Sequence, residues 1–155
     1  MTVLALCLLI GIVAGLRSMT APAAVSWAAH LDWINVHRSP LEWMGSGVTV
    51  ALFTLAALAE LVADKLPRTP NRTSRGPLIA RLVLGGLAAA SLAVAGGESL
   101  VTGAVLGAVG AVIGAFGGYE VRRRLVTGFG LKDAVVAVIE DLVAIGLAWI
   151  VVSQT

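Results

Sequence analysis

The stretch GAVLGAVGAVIGAFG runs from Gly103 to Gly117 and carries five glycines spaced four, three, four and three residues apart. On an α-helix this spacing places the glycines on one face. Because that face has no side chains, other helices can approach it closely and gain van der Waals contact. The stretch therefore predicts a central helix that packs against two neighbours, with a complementary small face at Gly86, Ala89 and Ala93. A face lining a narrow pore is the weaker alternative, since small-residue faces usually serve helix association.

The composition indicates a membrane protein. Of the 155 residues, 58% are hydrophobic and only 13% are charged, whereas soluble domains have about 45–50% apolar and about 25% charged residues. The net charge of +2 is small, and the basic residues are clustered, which argues against a nucleic-acid partner. Cys7 is the single cysteine, so neither an intrachain disulfide nor a cluster of metal-binding thiolates is expected.

Five apolar segments are long enough to span a lipid bilayer, which requires about 20 residues of helix. They are residues 3–29, 44–66, 78–96, 100–121 and 131–152. The sequence therefore predicts an all-α, polytopic transmembrane bundle of about five spans, with residues 1–155 forming a single transmembrane domain. The first segment lacks the basic start of a signal peptide, so we expect it to be retained.

The first segment is too long for one straight span and contains Gly15, Arg17 and Pro22. Pro22 removes a backbone donor and favours a break. We expect a helix to about Gly15, an irregular stretch at 16–21 and a second short helix to about His30. A simple kinked span is the alternative, because broken helices at membrane depth require protein or water around them.

Lysine and arginine residues gather in two regions, 65–81 and 122–132. The positive-inside rule places both regions on the cytoplasmic side of the inner membrane. The N-terminus is then cytoplasmic if the first segment crosses once, and external if that segment enters and returns. Four tryptophans are expected near the outer interface: Trp27, Trp33, Trp43 and Trp149.

Several ionisable residues lie within the predicted spans, where each costs about 2.5–3.5 kcal/mol at a helix centre. The candidate ion- or substrate-binding residues are Arg17, Glu60, Asp64, Lys65, Glu140 and Asp141. Glu60 and Asp64 share a helix face at i and i+4, and Glu140 is predicted near the midplane. The alternative is that these groups only pair and fix the helix register, which we favour for Asp64 and Lys65 at the interface.

The predicted acids outnumber the cations Arg17 and Arg81 that could pair with them. Excess negative charge in a low dielectric favours uptake of protons or a cation. We therefore predict a transporter or channel for a proton, cation or small solute, in which Glu140 and Asp141 couple or bind the ion. Glu60 would be their partner, and Arg17 a counter-ion or anion ligand. Because five spans are few for a transport pathway, a homodimer is one alternative.

Two other functions remain open. In the first, the chain binds or translocates lipids, and its basic clusters bind the lipid headgroups. The candidate headgroup-binding residues are Arg72, Arg75, Arg122, Arg123 and Arg124. Their alternative role is to set the topology. In the second, the chain is an accessory subunit whose charges pair with a partner. No enzyme is expected, because Ser-His-Asp and HExxH patterns are lacking. No metal or cofactor is predicted, and His30 and His37 are interpreted as interface histidines.

Three motifs resemble a bacterial integral-membrane family of unknown function, the domain of unknown function 4126. They are GLRSMTAP (Gly15–Pro22), ELVADKLP (Glu60–Pro67) and EDLVA (Glu140–Ala144). The likeness covers most of the chain, and the second motif is the most specific. The resemblance implies an integral membrane protein and no particular activity. The candidate ion-binding residues all fall within these motifs.

Overall fold

The computed structural model describes residues 1–66, 71 and 73–155, so Arg72, a predicted headgroup ligand, lies outside the described residues. All regular structure in this part of the chain is helical, which confirms the all-α fold class. In chain order the elements are α1 (Val3–Leu16), α2 (Thr20–His30), a 3-10 helix (Glu42–Gly45), α3 (Gly47–Ala63), α4 (Arg75–Ala95), α5 (Leu100–Thr127) and α6 (Asp133–Ser153).

Three helices, α4, α5 and α6, are long and apolar enough to cross a membrane. At about 1.5 Å per residue, the 14-residue α1 and the 17-residue α3 reach only about 21 Å and about 25 Å. Both are apolar but shorter than the hydrocarbon core of about 30 Å. The chain thus has the character of a membrane protein, and the number of five spans stays a prediction.

The glycine face of α5 is central, as the spacing predicts. Its N-terminal half packs on α4, where a Cβ atom added at Gly103 would collide with the side chain of Ala93. A Cβ atom at Gly107 would collide with Ala89 and with the backbone of Gly85. The predicted small face of α4 is therefore confirmed as the partner of α5.

The second half of the same face packs on α1. A Cβ atom at Gly110 would collide with the carbonyl oxygen of Leu8, and one at Gly114 with that of Ile12. No described atom lies within 4 Å of the corresponding position at Gly117. The seam thus comprises four of the five predicted glycines, and it is a closely packed helix interface rather than the wall of a pore.

The direction of α1 follows from its contacts with α4. Val3 lies against Gly96 at one end, Cys7 Sγ donates to the carbonyl of Ala89 at 3.3 Å, and Arg81 Nη1 donates to the carbonyl of Gly15 at 2.8 Å. As α1 advances, its partners on α4 run backwards, so the two helices are antiparallel. The N-terminus therefore lies at the end of the bundle where α4 finishes, opposite the basic clusters.

α2 returns towards the end from which α1 came. Ser18 contacts Glu60 near the C-terminus of α3, whereas Trp27 Nε1 donates to Thr54 Oγ1 at 2.9 Å, two turns back along α3. At the far end of α2, His30 Nδ1 lies 2.9 Å from the carbonyl of Gly45. The first segment therefore enters and returns as a helical hairpin. Of the two possibilities left open for this segment, the structure therefore has the return, with the N-terminus opposite the basic clusters.

The break in the hairpin is shorter than expected. Only residues 17–19 separate α1 from α2, against the predicted stretch 16–21. Pro22 is the third residue of α2, where its missing N–H costs nothing because the first-turn donors have no helical partner. The chain therefore turns at Arg17 rather than at the proline.

The ends of the bundle differ in charge. The basic end holds the hairpin turn, Asp64 and the starts of α4 and α6, whereas the opposite end holds both termini. At the opposite end the rings of Trp33 and Trp149 meet edge to face, with centroids 5.2 Å apart. The prediction that residues 65–81 and 122–132 form loops is wrong in part, because α4 begins at Arg75 and α5 continues to Thr127. Of the basic residues that the structure describes in these regions, most therefore lie on α4 and α5.

Candidate functional site

Arg17 is the centre of the candidate site. Its backbone N–H donates to the carbonyl of Val13 at 2.7 Å and so closes α1, and its side chain is fully buried. The guanidinium forms ion pairs with Asp64 at the end of α3 and with Asp141 on α6. Its Nη2 also donates to the carbonyl of Ala137 at 3.4 Å. One side chain in the hairpin turn thus ties α1 and α2 to α3 and α6.

The two neighbouring acids of α6 have different partners. Asp141 binds Arg17 with one oxygen and accepts from Lys65 Nζ at 2.8 Å with the other. Glu140 lies 3.6 Å from Arg122 Nη1 and 4.0 Å from Arg17 Nη2. Both acids are about 10–12 Å along α6 from its start at Asp133. The structure therefore brings four predicted site residues together: Arg17, Asp64, Glu140 and Asp141, with Lys65 at their edge.

Arg122 connects this group to the protein surface. Its Nε and Nη2 atoms donate to the two oxygens of Asp133 at 2.8 and 2.7 Å. The side chain of Asp133 is 62% exposed and that of Lys65 is 37% exposed, whereas Glu140 is only 9% exposed. Ion pairs therefore run continuously from the fully buried Arg17 to exposed groups at the basic end.

Glu60 has a different place from the one predicted. Its Oε1 accepts from the backbone N–H of Ser18 at 2.8 Å and from the Ser18 hydroxyl at 2.5 Å, and its Oε2 accepts from the N–H of Met19 at 2.9 Å. These groups precede the first turn of α2, whose N-terminus carries partial positive charge. Glu60 therefore caps α2 through Ser18 and Met19, and its role as the partner of Glu140 and Asp141 stays a prediction.

Arg81 stabilises the other helix end at the turn. Its side chain is buried, and Nη1 donates to the carbonyl oxygens of Gly15 at 2.8 Å and Leu16 at 3.1 Å. These carbonyls end α1 and have no helical donor. A cation at a helix C-terminus also opposes the partial negative charge there. Both helix ends in the hairpin turn are thus held by side chains of this chain, Arg81 for α1 and Glu60 for α2.

We call the whole group the charged junction. It comprises Arg17, Glu60, Asp64, Lys65, Arg81, Arg122, Asp133, Glu140 and Asp141. Five of these described residues are acids and four are cations. Among the described residues no three His, Cys, Asp or Glu side chains are grouped to hold a metal ion.

The predicted headgroup arginines divide into two groups. Arg122 belongs to the charged junction. Arg75 is exposed in the first turn of α4, and Arg123 and Arg124 are 56% and 74% exposed, with ion pairs to Glu120 at 2.9 and 2.7 Å. Arg75, Arg123 and Arg124 are therefore accessible at the basic end.

An apolar cleft lies along the same three elements that meet at the junction. It has a volume of about 400 Å³ and is lined by residues of α2, α3 and α6, with Leu31 and Trp33 following α2. Thr20 and Leu61 line it towards the basic end, and Trp27 and Trp149 towards the opposite end. The cleft and the charged junction thus occupy successive levels of one helix interface.

Sequence reasoning missed three contributions to the site: the hydrogen bonds from Ser18 to Glu60, the link from Arg122 to Glu140, and the part played by Asp133. Arg122 and Asp133 are 11 residues apart across the turn between α5 and α6, so their opposite charges on either side of a short turn were the available signal. The contact of Ser18 with Glu60 joins residues 42 positions apart, and no local pattern predicts it.

The chain belongs to the family described as Domain of unknown function (DUF4126), whose model matches residues 4–154. The predicted family is thereby confirmed, and the three motifs stay a prediction. Neither a curated protein nor a solved structure matches the chain.

Proposed function

We propose that this chain is a small membrane transporter or channel for protons or a small cation, with the carboxylates of the charged junction as its coupling site. The observation that carries the proposal is the grouping of three acids around a fully buried arginine, linked by ion pairs to the basic end. Charged residues inside membrane proteins are costly and commonly mark ion pathways. No chemical step is proposed, so the chain is not an enzyme in this proposal.

The grouping of acids supports uptake of a positive charge. Asp64, Glu140 and Asp141 all approach the buried guanidinium of Arg17. Among the described residues, Lys65 also binds Asp141 and Arg122 also lies beside Glu140. A charged group in a low dielectric is costly unless an opposite charge compensates it, so this group is suited to bind a proton or a monovalent cation.

The route of entry follows from exposure. Three side chains of the junction reach the surface at the basic end. The exposed fraction is 62% for Asp133, 37% for Lys65 and 19% for Arg122. A proton or cation would therefore enter the junction from this end and reach Glu140 first, since Glu140 contacts Arg122. Neutralising Glu140 or Asp141 would weaken the hold on Arg17 and so release the hairpin turn, which gives the transporter two states.

The test is acid-dependent flux in reconstituted vesicles containing an internal pH dye. We expect the unaltered chain to dissipate an imposed pH gradient and Glu140→Gln to reduce the rate to that of protein-free vesicles. Glu120→Gln is the matched control, because Glu120 pairs with arginines at the same end but lies outside the junction. Both variants should elute from a sizing column in detergent as folded protein, like the unaltered chain. Unchanged flux in Glu140→Gln and in Asp141→Asn would overturn the proposal.

Lipid handling is the second candidate, and the exposure of Arg75, Arg123 and Arg124 favours it. Basic clusters near a membrane surface attract anionic headgroups at about 1 kcal/mol per residue. In native mass spectrometry the unaltered chain should then keep an anionic phospholipid bound, and the variants Arg75→Ala and Arg123→Ala should lose it. An accessory subunit is less supported, because the junction charges find partners within the chain. A homodimer remains compatible with each function.

A further inference from the structure

The apolar cleft between α2, α3 and α6 has a buried back wall and an open side. Ala23 and Ala28 of α2 line the cleft and are buried, whereas Leu58 of α3 and Ile145 of α6 line it and are exposed. The alanines therefore form the back of the cleft, and the larger side chains of α3 and α6 flank its opening. Because α6 is long and apolar enough to cross a membrane, this opening faces acyl chains when the chain lies in a bilayer.

The walls of the cleft favour an apolar occupant. None of the described residues that line it is charged, and the polar side chains on the wall include Thr20 and Thr54. Thr54 Oγ1 already accepts from Trp27 Nε1 at 2.9 Å. A buried water molecule needs two to four polar partners, which these walls do not supply. The cleft is therefore suited to hydrocarbon and has no lining group that selects a charge.

The cleft is short and closed at the basic end. Lys65 Nζ of α3 donates to Asp141 of α6 at 2.8 Å, and Asp141 lies one turn before Ile145, which lines the cleft. From Ile145 to Val152 the lining of α6 covers about 10 Å. A membrane-spanning helix of a partner needs about 30 Å, so it cannot lie along this cleft. A thin, flexible chain that ends inside the cleft can.

The other end of the cleft carries exposed tryptophans. Trp33 and Trp149 line it there, and both rings are exposed. Exposed indole rings are enriched at the level of the lipid headgroups. A phospholipid whose headgroup lies at this level can therefore place an acyl chain between α3 and α6. The volume of about 400 Å³ lies within the usual range for ligand pockets, about 300–1,000 Å³.

We propose that the cleft binds one acyl chain of a phospholipid from the leaflet at the opposite end of the bundle. The methyl end of the acyl chain points towards the contact between Lys65 and Asp141. An empty cleft would leave its wall atoms without van der Waals partners, and the acyl chain supplies them. This inference rests on neither candidate function, because the headgroup arginines considered above lie at the basic end and the cleft takes the acyl chain whatever its headgroup.

The experiment is photolabelling of the full chain in vesicles of phosphatidylcholine. One acyl chain of the probe lipid carries a diazirine, either near its carboxyl end or near its methyl end, and mass spectrometry locates the labelled residues. Lipids that only surround the bundle reach exposed side chains. Label on Ala23 or Ala28 therefore reports an acyl chain inside the cleft, because both alanines are buried in its back wall.

We expect the methyl-end diazirine to label Ala23 and the carboxyl-end diazirine to label Ala28, because α2 begins at the basic end. Phosphatidylglycerol with the same acyl chains should give the same pattern. Ala57 lines the cleft from α3, so Ala57→Phe should abolish the labelling of Ala23. Ala59→Phe is the matched control and should keep it, because Ala59 is exposed on the same helix and is not among the cleft-lining residues.

Four results would overturn the inference, and the first three need only the unaltered chain. They are label confined to exposed side chains, label in the reverse order along α2, and label from phosphatidylglycerol but not from phosphatidylcholine. The fourth is labelling of Ala23 that stays unchanged in Ala57→Phe, once this variant elutes from a sizing column as folded protein.

Discussion

Along its length α1 meets two contrasting surroundings. From Leu8 to Ala14 it packs against the glycine seam of α5 and the small face of α4, where backbone meets backbone. At Leu16 and Arg17 it reaches the charged junction, where its last carbonyls and its guanidinium are bound by side chains. The first contact is dry and depends on the absence of side chains. The second depends on long charged side chains from four other elements.

This contrast separates a closely packed part of the molecule from a part held by ion pairs. Close packing has no alternative arrangement of similar energy, because any added atom collides. A network of ion pairs loses its attraction when one acid is neutralised. If the hairpin moves, we therefore expect it to move at its turn and to stay fixed where α1 crosses α5.

The largest expected effect comes from removing the buried cation. Arg17→Met leaves Asp64 and Asp141 without their common partner, and breaking a buried ion pair in this way costs about 3–5 kcal/mol. Circular dichroism during unfolding in mild detergent measures the loss in the free energy of unfolding. Arg124→Met is the control, because Arg124 is exposed and an exposed pair contributes about 0–1 kcal/mol.

A rescue variant separates lost charge balance from lost packing. Arg17→Met combined with Asp64→Asn and Asp141→Asn removes both buried acids along with the cation, and we expect much of the stability to return. If Arg17→Met alone unfolds like the unaltered chain, the junction does not hold the hairpin and the contrast with the seam fails.

The next effect tests the seam. Gly107→Ala forces a methyl group against the backbone of Gly85 and the side chain of Ala89, and overpacking of this kind costs about 1–3 kcal/mol. Gly117→Ala has open space around it and replaces a poor helix former, so we expect it to be neutral or stabilising by about 0.5–1 kcal/mol. Equal shifts in the unfolding midpoint of the two variants would show that the seam is not closely packed.

The two regions also differ in how far the sequence could predict them. The seam follows from the glycine spacing along one helix, which is a local property that fixes which face of the helix packs. Of the five predicted glycines, only Gly117 lies outside the packed seam. The junction depends on where distant elements meet. The sequence indicated Arg17, Asp64, Glu140 and Asp141 as costly residues, but pairing them required the direction of the hairpin. That direction could not be read from the first segment, since its N-terminal end carries no basic residue to orient it.

The smallest effect concerns an exposed charge group at the opposite end, which contrasts with the buried junction. His37 Nε2 lies 3.3 Å from an oxygen of Asp32, and its Nδ1 lies 3.5 Å from an oxygen of Glu42. The hydrogen bond to Asp32 is the main cause that raises the pKa of this histidine, and the hydrogen bond to Glu42 adds to it. The protonated imidazole is thus favoured in the folded chain. Its contribution to stability is present below the ordinary pKa of histidine and is lost as the pH rises through the raised value.

NMR titration of the His37 ring, assigned with His37→Gln, should give a pKa above the ordinary value, and the double variant Asp32→Asn with Glu42→Gln should return the pKa to that value. Added salt should reduce the shift, because exposed charges are screened. A pKa at or below the ordinary value, or one unmoved by the double variant, would show that the acids do not bind His37.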